Sequence, residues 1–218
     1  MTSWLSSEGH RVNRKRVARL YSLMGLKTIY RKPWLSQPDK QNKVYPYLLK
    51  DLHIERPNQV WAADITYVPM KKGFLYLMAI MDLHSRYVIN WSLSNTMEAA
   101  WCCEVLNEAI ARHGKPDIFN TDQGSQYTSE AFTGTLNKNE IRISMDGKGR
   151  AIDNIFIERL WRTVKYEYVY LNPAAEGVEL YRGLQEYFTF YNCSRHQSLA
   201  YHTPEQVHLR NTSNLKVA

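Results

Sequence analysis

Sulfur, long apolar runs and early acids are all scarce in this 218-residue sequence. Of three cysteines, Cys102 and Cys103 are neighbours in a helical-looking stretch and Cys193 stands alone. No CxxC pair or even-numbered set is present, so a disulfide framework of the secreted kind is excluded and a reducing cytoplasm is the expected compartment. The longest apolar run, residues 74–81, is far shorter than the roughly 20 residues a membrane span requires, and the polar first residues lack a signal-peptide core. Neither membrane insertion nor export is expected. There is no internal repeat and no low-complexity tract. What is present, 44% apolar and 22% charged residues with ten glycines and eight prolines, is the profile of a folded protein with one main domain and a short appendage. At this size a core can bury roughly 70% of the unfolded chain's surface, so neither a disulfide nor a structural metal is needed to hold it.

The formal charge of +7 is unevenly placed. Residues 1–50 carry eleven Lys and Arg against Glu8 and Asp39, whereas residues 51–218 carry seventeen against nineteen acids. A strongly basic end beside a near-neutral body points to a polyanionic partner. Nucleic acid fits better than a membrane face, because no basic amphipathic helix with bulky apolar anchors accompanies the charge. From Asn13 to Met24 the pattern reads as a helix: Asn13 caps it, Val17, Leu20 and Met24 share one side, and Gly25 stops it. The other side presents Arg14, Lys15 and Arg19, with Arg11, Arg16, Lys27, Arg31 and Lys32 around it and almost no acid to neutralise them. A solvated face is the ordinary reading of such a helix; the surrounding charge favours a DNA-contacting unit. Residues 1–32 are therefore read as a partial helical DNA-binding segment. Residues 33–57, with Pro33, Pro38, Pro46 and Pro57 and no sustained period, read as a linker or extended arm.

A second domain begins near Asn58. Residues 60–70 and 73–81 are rich in Val, Ile, Tyr and Phe around the turn Lys71-Lys72-Gly73, which predicts an antiparallel hairpin, and residues 86–93 predict a third strand. A helical period follows over 96–113, ended by Gly114-Lys115-Pro116; then come a short strand at 117–120, a helix at 129–137 and a strand at 141–144. After a loop over 146–153, long helices are expected over 154–170 and 174–191. This order describes an α/β fold, a mixed sheet flanked by helices. The main body is taken as residues 58–210 and the last residues, 211–218, as a tail.

Three carboxylates in that body carry the chemistry. Asp64 sits inside the apolar strand sequence Val60-Trp61-Ala62-Ala63-Asp64-Ile65, where a charge is costly unless paired or metal-bound. Alternation puts Ala62, Asp64 and Thr66 on one face. Asp122 lies just past a short strand, where α/β sheets present functional groups, and Glu158 lies one turn into a long helix. Singly, each has an ordinary explanation as an edge carboxylate, a turn aspartate or a solvated helix glutamate. Together they are spaced so that 35 residues separate Asp122 from Glu158 and Asp64 precedes Asp122 by 58 positions.

That spacing resembles the DD(35)E pattern of retroviral integrases and related transposases. Longer stretches carry the same resemblance: Trp61-Ala62-Ala63-Asp64-Ile65-Thr66-Tyr67, Asn120-Thr121-Asp122-Gln123-Gly124-Ser125-Gln126-Tyr127 and Asp153-Asn154-Ile155-Phe156-Ile157-Glu158-Arg159-Leu160-Trp161. Gly9-His10-Arg11-Val12-Asn13 near the start, and Tyr191-Asn192 with His196-Gln197-Ser198-Leu199 near the end, extend it over nearly the whole chain. The sequence is similar to the catalytic (OrfB) chain of bacterial insertion sequences of the IS-three group. Relatives typically extend some tens of residues further upstream, so a shortened copy is expected.

The resemblance implies a ribonuclease H-like core and a polynucleotidyl transferase that cuts and joins element ends using divalent metal. Its partners would be DNA, both terminal repeats and target, and further copies of the chain assembled on that DNA. A nucleoid-associated place in the cytoplasm follows. The residues support the chemistry independently: converging carboxylates repel one another unless cations neutralise them, and hard oxygen ligands suit Mg²⁺ or Mn²⁺. Two such ions are expected, with Asp64 bridging both and Asp122 and Glu158 each binding one. Arg162 and Lys165, at i+4 and i+7 from Glu158, project from the same side of its helix and are candidates to hold the DNA backbone, as are Lys148 and Arg150 in the preceding loop. Gln123, Gln126 and Asn154 either orient ligands or serve as turn and capping residues. Trp161, Val164 and Tyr168 are read as core-facing. The competing function is a non-catalytic DNA-binding remnant that regulates an intact transposase.

Overall fold

The computed structural model describes residues 1–25, 43–147 and 154–212, with the backbone alone for Ser3 and residues 210–212. The chain divides into two compact units, Met1–Pro38 and Asp39–Ala218. In the first, helix α1 (Thr2–Ser7) is followed by α2 (Arg14–Leu23), whose start is capped as expected: the Asn13 side chain accepts from Arg16 N at 2.8 Å. Only Val17 of the anticipated apolar side is buried; Leu20 and Met24 are exposed among the described residues. Lys27, Arg31 and Lys32 lie outside the described residues.

The second unit is built on a five-stranded sheet. Its strands are β1 (Val60–Pro69), β2 (Phe74–Asp82), β3 (Val88–Ser94), β4 (Ile118–Thr121) and β5 (Arg142–Met145), in the spatial order β3-β2-β1-β4-β5. The hairpin and its neighbour pair antiparallel, while β1–β4 and β4–β5 are parallel. This is the mixed sheet that the order of elements predicted. Helices α3 (Ala99–His113), α4 (Ser125–Thr128) and α5 (Glu130–Lys138) follow β3 and β4. After β5 come α6 (Ile155–Val164), continued by a π-helical turn at Lys165–Val169, then α7 (Gly177–Cys193) and α8 (Pro204–Thr212).

Strand alternation separates two cores. Trp61, Ala63, Met78, Ile80 and Phe119 point to one side and pack with Leu106 and Ala109 of α3 and Phe132 and Leu136 of α5. Val68, Leu77, Ala79 and Met81 point to the other and pack with Ile157, Leu160, Trp161 and Val164 of α6 and Leu180, Leu184 and Phe188 of α7. Asp64 and Thr66 share the parity of Val68, so they face α6 and its π-helical continuation. Phe156 fixes the entry to α6, lying under the Arg86 guanidinium at 3.3 Å from its ring centroid.

Both outer strands are protected from further pairing. Along β3, the Asn192 amide acts as a strand substitute, accepting from Val88 N at 2.9 Å and donating to Val88 O at 3.1 Å. Beside β5 runs the arm. Met145 N donates to Pro46 O, and Leu48 N donates to Ser144 Oγ at 3.0 Å. Leu48, Leu49, Leu52 and Ile54 pack on Val60, Ala62 and Ile118. Residues 43–57 contain no helix or strand, as a linker reading requires, yet they are bound to the sheet. Their apolar side chains are spaced irregularly between prolines, so no period signals that burial.

Candidate active site

The parallel pairing of β1 with β4 runs as far as Ala62 opposite Asn120, and Asp64 and Asp122 each lie two residues beyond that last pair, towards the carboxyl end of β4. Asp64 is partly buried on the α6 side of β1, with Ala79 opposite it on β2. Ile65 N donates to Asp64 Oδ1 and Trp161 Nε1 donates to Asp64 Oδ2, each at 2.8 Å. Burial pushes the Asp64 carboxyl up to about 6; those two donors pull it back, and the negative charges of Asp122 and Glu158 add to the rise. The charges of Asp122 and Glu158 thus reach Asp64 across the fold.

Asp122 stands at the exposed end of β4, where its Oδ1 accepts from Gly124 N at 2.9 Å. Protein packed around the carboxyl raises its pKa, and the Gly124 N–H offsets part of that. Gly124 is needed for close approach: a Cβ there would stand 2.9 Å from Asp122 Oδ1 and closer still to the Gln126 amide. Glu158 lies in the first turn of α6, exposed and in no ion pair with a described residue. The ordinary helix pair with Arg162 is thus not formed. Among the described residues no three His, Cys, Asp or Glu side chains lie close enough together to hold one metal ion.

Among the basic candidates with described side chains, Lys165 is the one that a charge interaction ties to Asp64. Its Nζ donates to Thr66 Oγ1 at 2.7 Å, beside Asp64 on the same face of β1; burial lowers its pKa and the Asp64 charge opposes that. Arg162 is exposed on α6, and Arg14, Lys15 and Arg19 are exposed on α2 in the other unit. Lys148 and Arg150 lie outside the described residues.

Sequence reasoning missed much of the surrounding polar scaffold. Asn120 Nδ2 donates to the buried Asp146 carboxylate at 2.8 Å, and Gln123 Nε2 to Asp146 O at 2.8 Å, tying the ends of β4 and β5 together. Gln123 thus holds a turn. Asn154 is buried without capping α6. The Tyr127 hydroxyl and one oxygen each of Asn120, Thr121 and Asn154 are buried without a hydrogen-bond partner among the described residues. Trp161 is core-facing as expected, but its indole N–H also reaches Asp64. Its position three residues after Glu158, on the same side of α6, was the available signal.

Comparison with known proteins places this architecture. Residues 54–151 and 139–204 each match an integrase core domain, and residues 1–34 match an HTH-like domain. The transposase for insertion sequence element IS904 of Lactococcus lactis subsp. lactis (strain IL1403) is 34% identical over 94% of this chain and 84% of its own length. Transposase InsF for insertion sequence IS3A of Escherichia coli (strain K12) is 35% identical over 78% of the chain, and the match spans 61% of InsF. Among solved structures, the HTLV-2 integrase catalytic core domain in complex with magnesium (dimeric form) aligns with a TM-score of 0.58 at 22% identity, over 70% of this chain and 97% of that one. A chain of the simian T-cell lymphotropic virus intasome in complex with PP2A regulatory subunit B56 gamma aligns with a TM-score of 0.63 at 24% identity, over 78% and 60%. These two share the ribonuclease H-like fold. No described helix is long and apolar enough to cross a membrane. With an HTH-like segment ahead of an integrase core domain, the chain belongs to the insertion-sequence transposases of the IS3 group.

Proposed function

We propose that the chain cuts DNA at the ends of its insertion element and joins the freed 3′ ends to target DNA, with Asp64, Asp122 and Glu158 holding two Mg²⁺ or Mn²⁺ ions. The observation that carries this reading is the Asp64 carboxyl on β1, raised to about 6 by burial and further by the charges of Asp122, at the end of β4, and Glu158, on α6. Uncompensated negative charge in a partly desolvated place is what a divalent cation neutralises. The donor set fits: all oxygens, from carboxylates, with none of the sulfur or imidazole that favours softer metals. No single ion requires all three acids, since Asp64 shared between two ions leaves Asp122 and Glu158 one each. When bound, such cations stabilise charge on the scissile phosphate and activate the attacking water or 3′-hydroxyl.

The chain's own residues do the rest. Asp64 is anchored from two sides, by its strand backbone and by α6, so its oxygens are held in place before substrate arrives. Lys165 releases Thr66 to meet a phosphate beside Asp64, and Arg162 meets the backbone one turn earlier on the helix. Arg14, Lys15 and Arg19 contact phosphates of the terminal repeat from the exposed side of α2, and Lys148 and Arg150 complete the basic set. Two element ends must be brought together, so copies of the chain assemble on DNA.

The test uses a labelled duplex carrying the element's terminal repeat, with Mg²⁺ or Mn²⁺. Nicked and joined products are expected from the chain, and Asp122→Asn should abolish them while leaving gel-shift affinity within a few fold. Equal product formation by Asp122→Asn would remove this acid from the chemistry.

A further inference from the structure

We propose that Trp161 is a positioning residue of the cation site, its indole N–H fixing the Asp64 carboxylate so that acceptor directions on both oxygens stay open to divalent cations. This rests on the metal-dependent reading above and deepens it, giving the anchor from α6 a specific role at the cation site. A carboxylate offers about four acceptor directions on two oxygens. Ile65 N uses one on Oδ1 and Trp161 Nε1 uses one on Oδ2, both at 2.8 Å. Each oxygen therefore keeps capacity for another partner, as a ligand shared between two ions requires.

The choice of an indole follows from the same geometry. Its N–H donates and cannot accept, so it holds the carboxylate without offering a cation an alternative ligand. A lysine at the same place would bring a positive charge against the ions. Trp161 is only 7% exposed and packs in the core formed with Val68, Leu77, Ala79 and α7, so its rotamer is set by packing before any ligand binds. It also belongs to the helix that carries Glu158, three residues earlier. The Trp161–Asp64 bond thus links the strand that presents one acid to the helix that presents another, and fixes their separation. Partners of this outer kind on metal-ligating side chains typically change metal affinity by about 10- to 100-fold when removed.

The test measures Mn²⁺ binding to the full chain without DNA, by the electron paramagnetic resonance signal of free Mn²⁺. Trp161→Phe removes the N–H but also some volume. A second protein with 3-benzothienylalanine in place of Trp161 keeps the ring size and replaces only the N–H by sulfur. Both are expected to bind Mn²⁺ roughly 10- to 100-fold more weakly than the natural chain. The benzothienyl protein should keep the natural urea midpoint in EDTA, which separates positioning from packing. In the natural chain the ¹⁵N-indole signal of Trp161 should shift on adding Mg²⁺, and in Asp64→Asn it should not. Unchanged Mn²⁺ affinity in the benzothienyl protein would overturn the role of Trp161 and leave the cation reading intact. Mn²⁺ binding to Asp64→Asn as tight as to the natural chain would overturn both.

Discussion

Substituting Asp64 by asparagine should alter how the stability of the unit built on the sheet depends on pH. The carboxyl is raised from 3.8 to about 6 by burial and by Asp122 and Glu158. A raised value means that the folded protein keeps a proton the unfolded chain releases. The stabilising contribution is therefore fully present below about 4 and is lost as pH rises through about 6. At about 1.36 kcal/mol per pKa unit, the ionised group costs the fold about 3 kcal/mol at pH 8, and partial access of water to it brings the working figure nearer 2 kcal/mol. An amide at this position does not titrate. It also turns its own N–H₂ toward one of the donors from Ile65 and Trp161, a loss on the order of 1–3 kcal/mol that is the same at every pH and so cancels from the comparison. Urea unfolding in EDTA at pH 4, 6 and 8, followed by circular dichroism, should show the stability of the natural chain falling relative to Asp64→Asn by about 2 kcal/mol across that range. In melting temperature this is roughly 4–8 °C for a unit of this size. Adding Mg²⁺ at pH 8 should recover part of the difference for the natural chain only. A stability difference that stays constant from pH 4 to pH 8 would show that Asp64 is not under electrostatic pressure and would remove the argument for cations there.

Two further outcomes test other parts of the structure. Gly183 in α7 leaves room for the Tyr168 ring, which stacks on Tyr187 at 5.4 Å between centroids; a Cβ at 183 would fall on the Tyr168 hydroxyl and 2.6 Å from its Cζ. Gly183→Ala should lower stability by about 1–2 kcal/mol despite alanine's better helix propensity, and an unchanged urea midpoint would mean that the ring swings aside freely. Neutralising Lys15 and Arg19 together should weaken binding to the terminal repeat and reduce the slope of log K against log salt by roughly 0.9 per lost phosphate contact. An unaltered slope would make that side of α2 an ordinary solvated face.

The parts of the fold that could be read from sequence were those governed by local periodicity. Alternation in Val60–Pro69 put Asp64 and Thr66 on one face, and that face is where α6 and Lys165 lie. The Asn13 cap and the Gly73 turn followed from residue type, the latter with φ at 78°. What pairing decides was not legible: nothing local says that β1 and β4 run parallel with Ala62 opposite Asn120, two residues before each of Asp64 and Asp122. The same holds for Trp161, whose burial was read from its helical position while its bond to a residue 97 positions away was not. Helix α8 differs, because its signal was present. Thr203 and Gln206 form a reciprocal capping box, Gln206 N to Thr203 Oγ1 at 3.1 Å and Thr203 N to Gln206 Oε1 at 3.2 Å, with Pro204 at the first helical position. Only Val207 and Leu209 are apolar after Pro204 in this helix, too few to mark a period. The π-helical turn at Lys165–Val169 has no such mark in its sequence, although it carries the lysine that reaches Thr66 beside Asp64.

The arm along β5 bears on how the unit built on the sheet can be handled in isolation. A fragment cut where the strand-like composition begins, near Asn58, would strip Pro46 and Leu48 from the last strand and uncover Val60, Ala62 and Ile118. Such a fragment presents an open, sticky border to its own kind and is expected to precipitate or pair edge to edge. A fragment that keeps this border covered begins ahead of Tyr45, and the proline-bearing stretch is the part that keeps the sheet to itself.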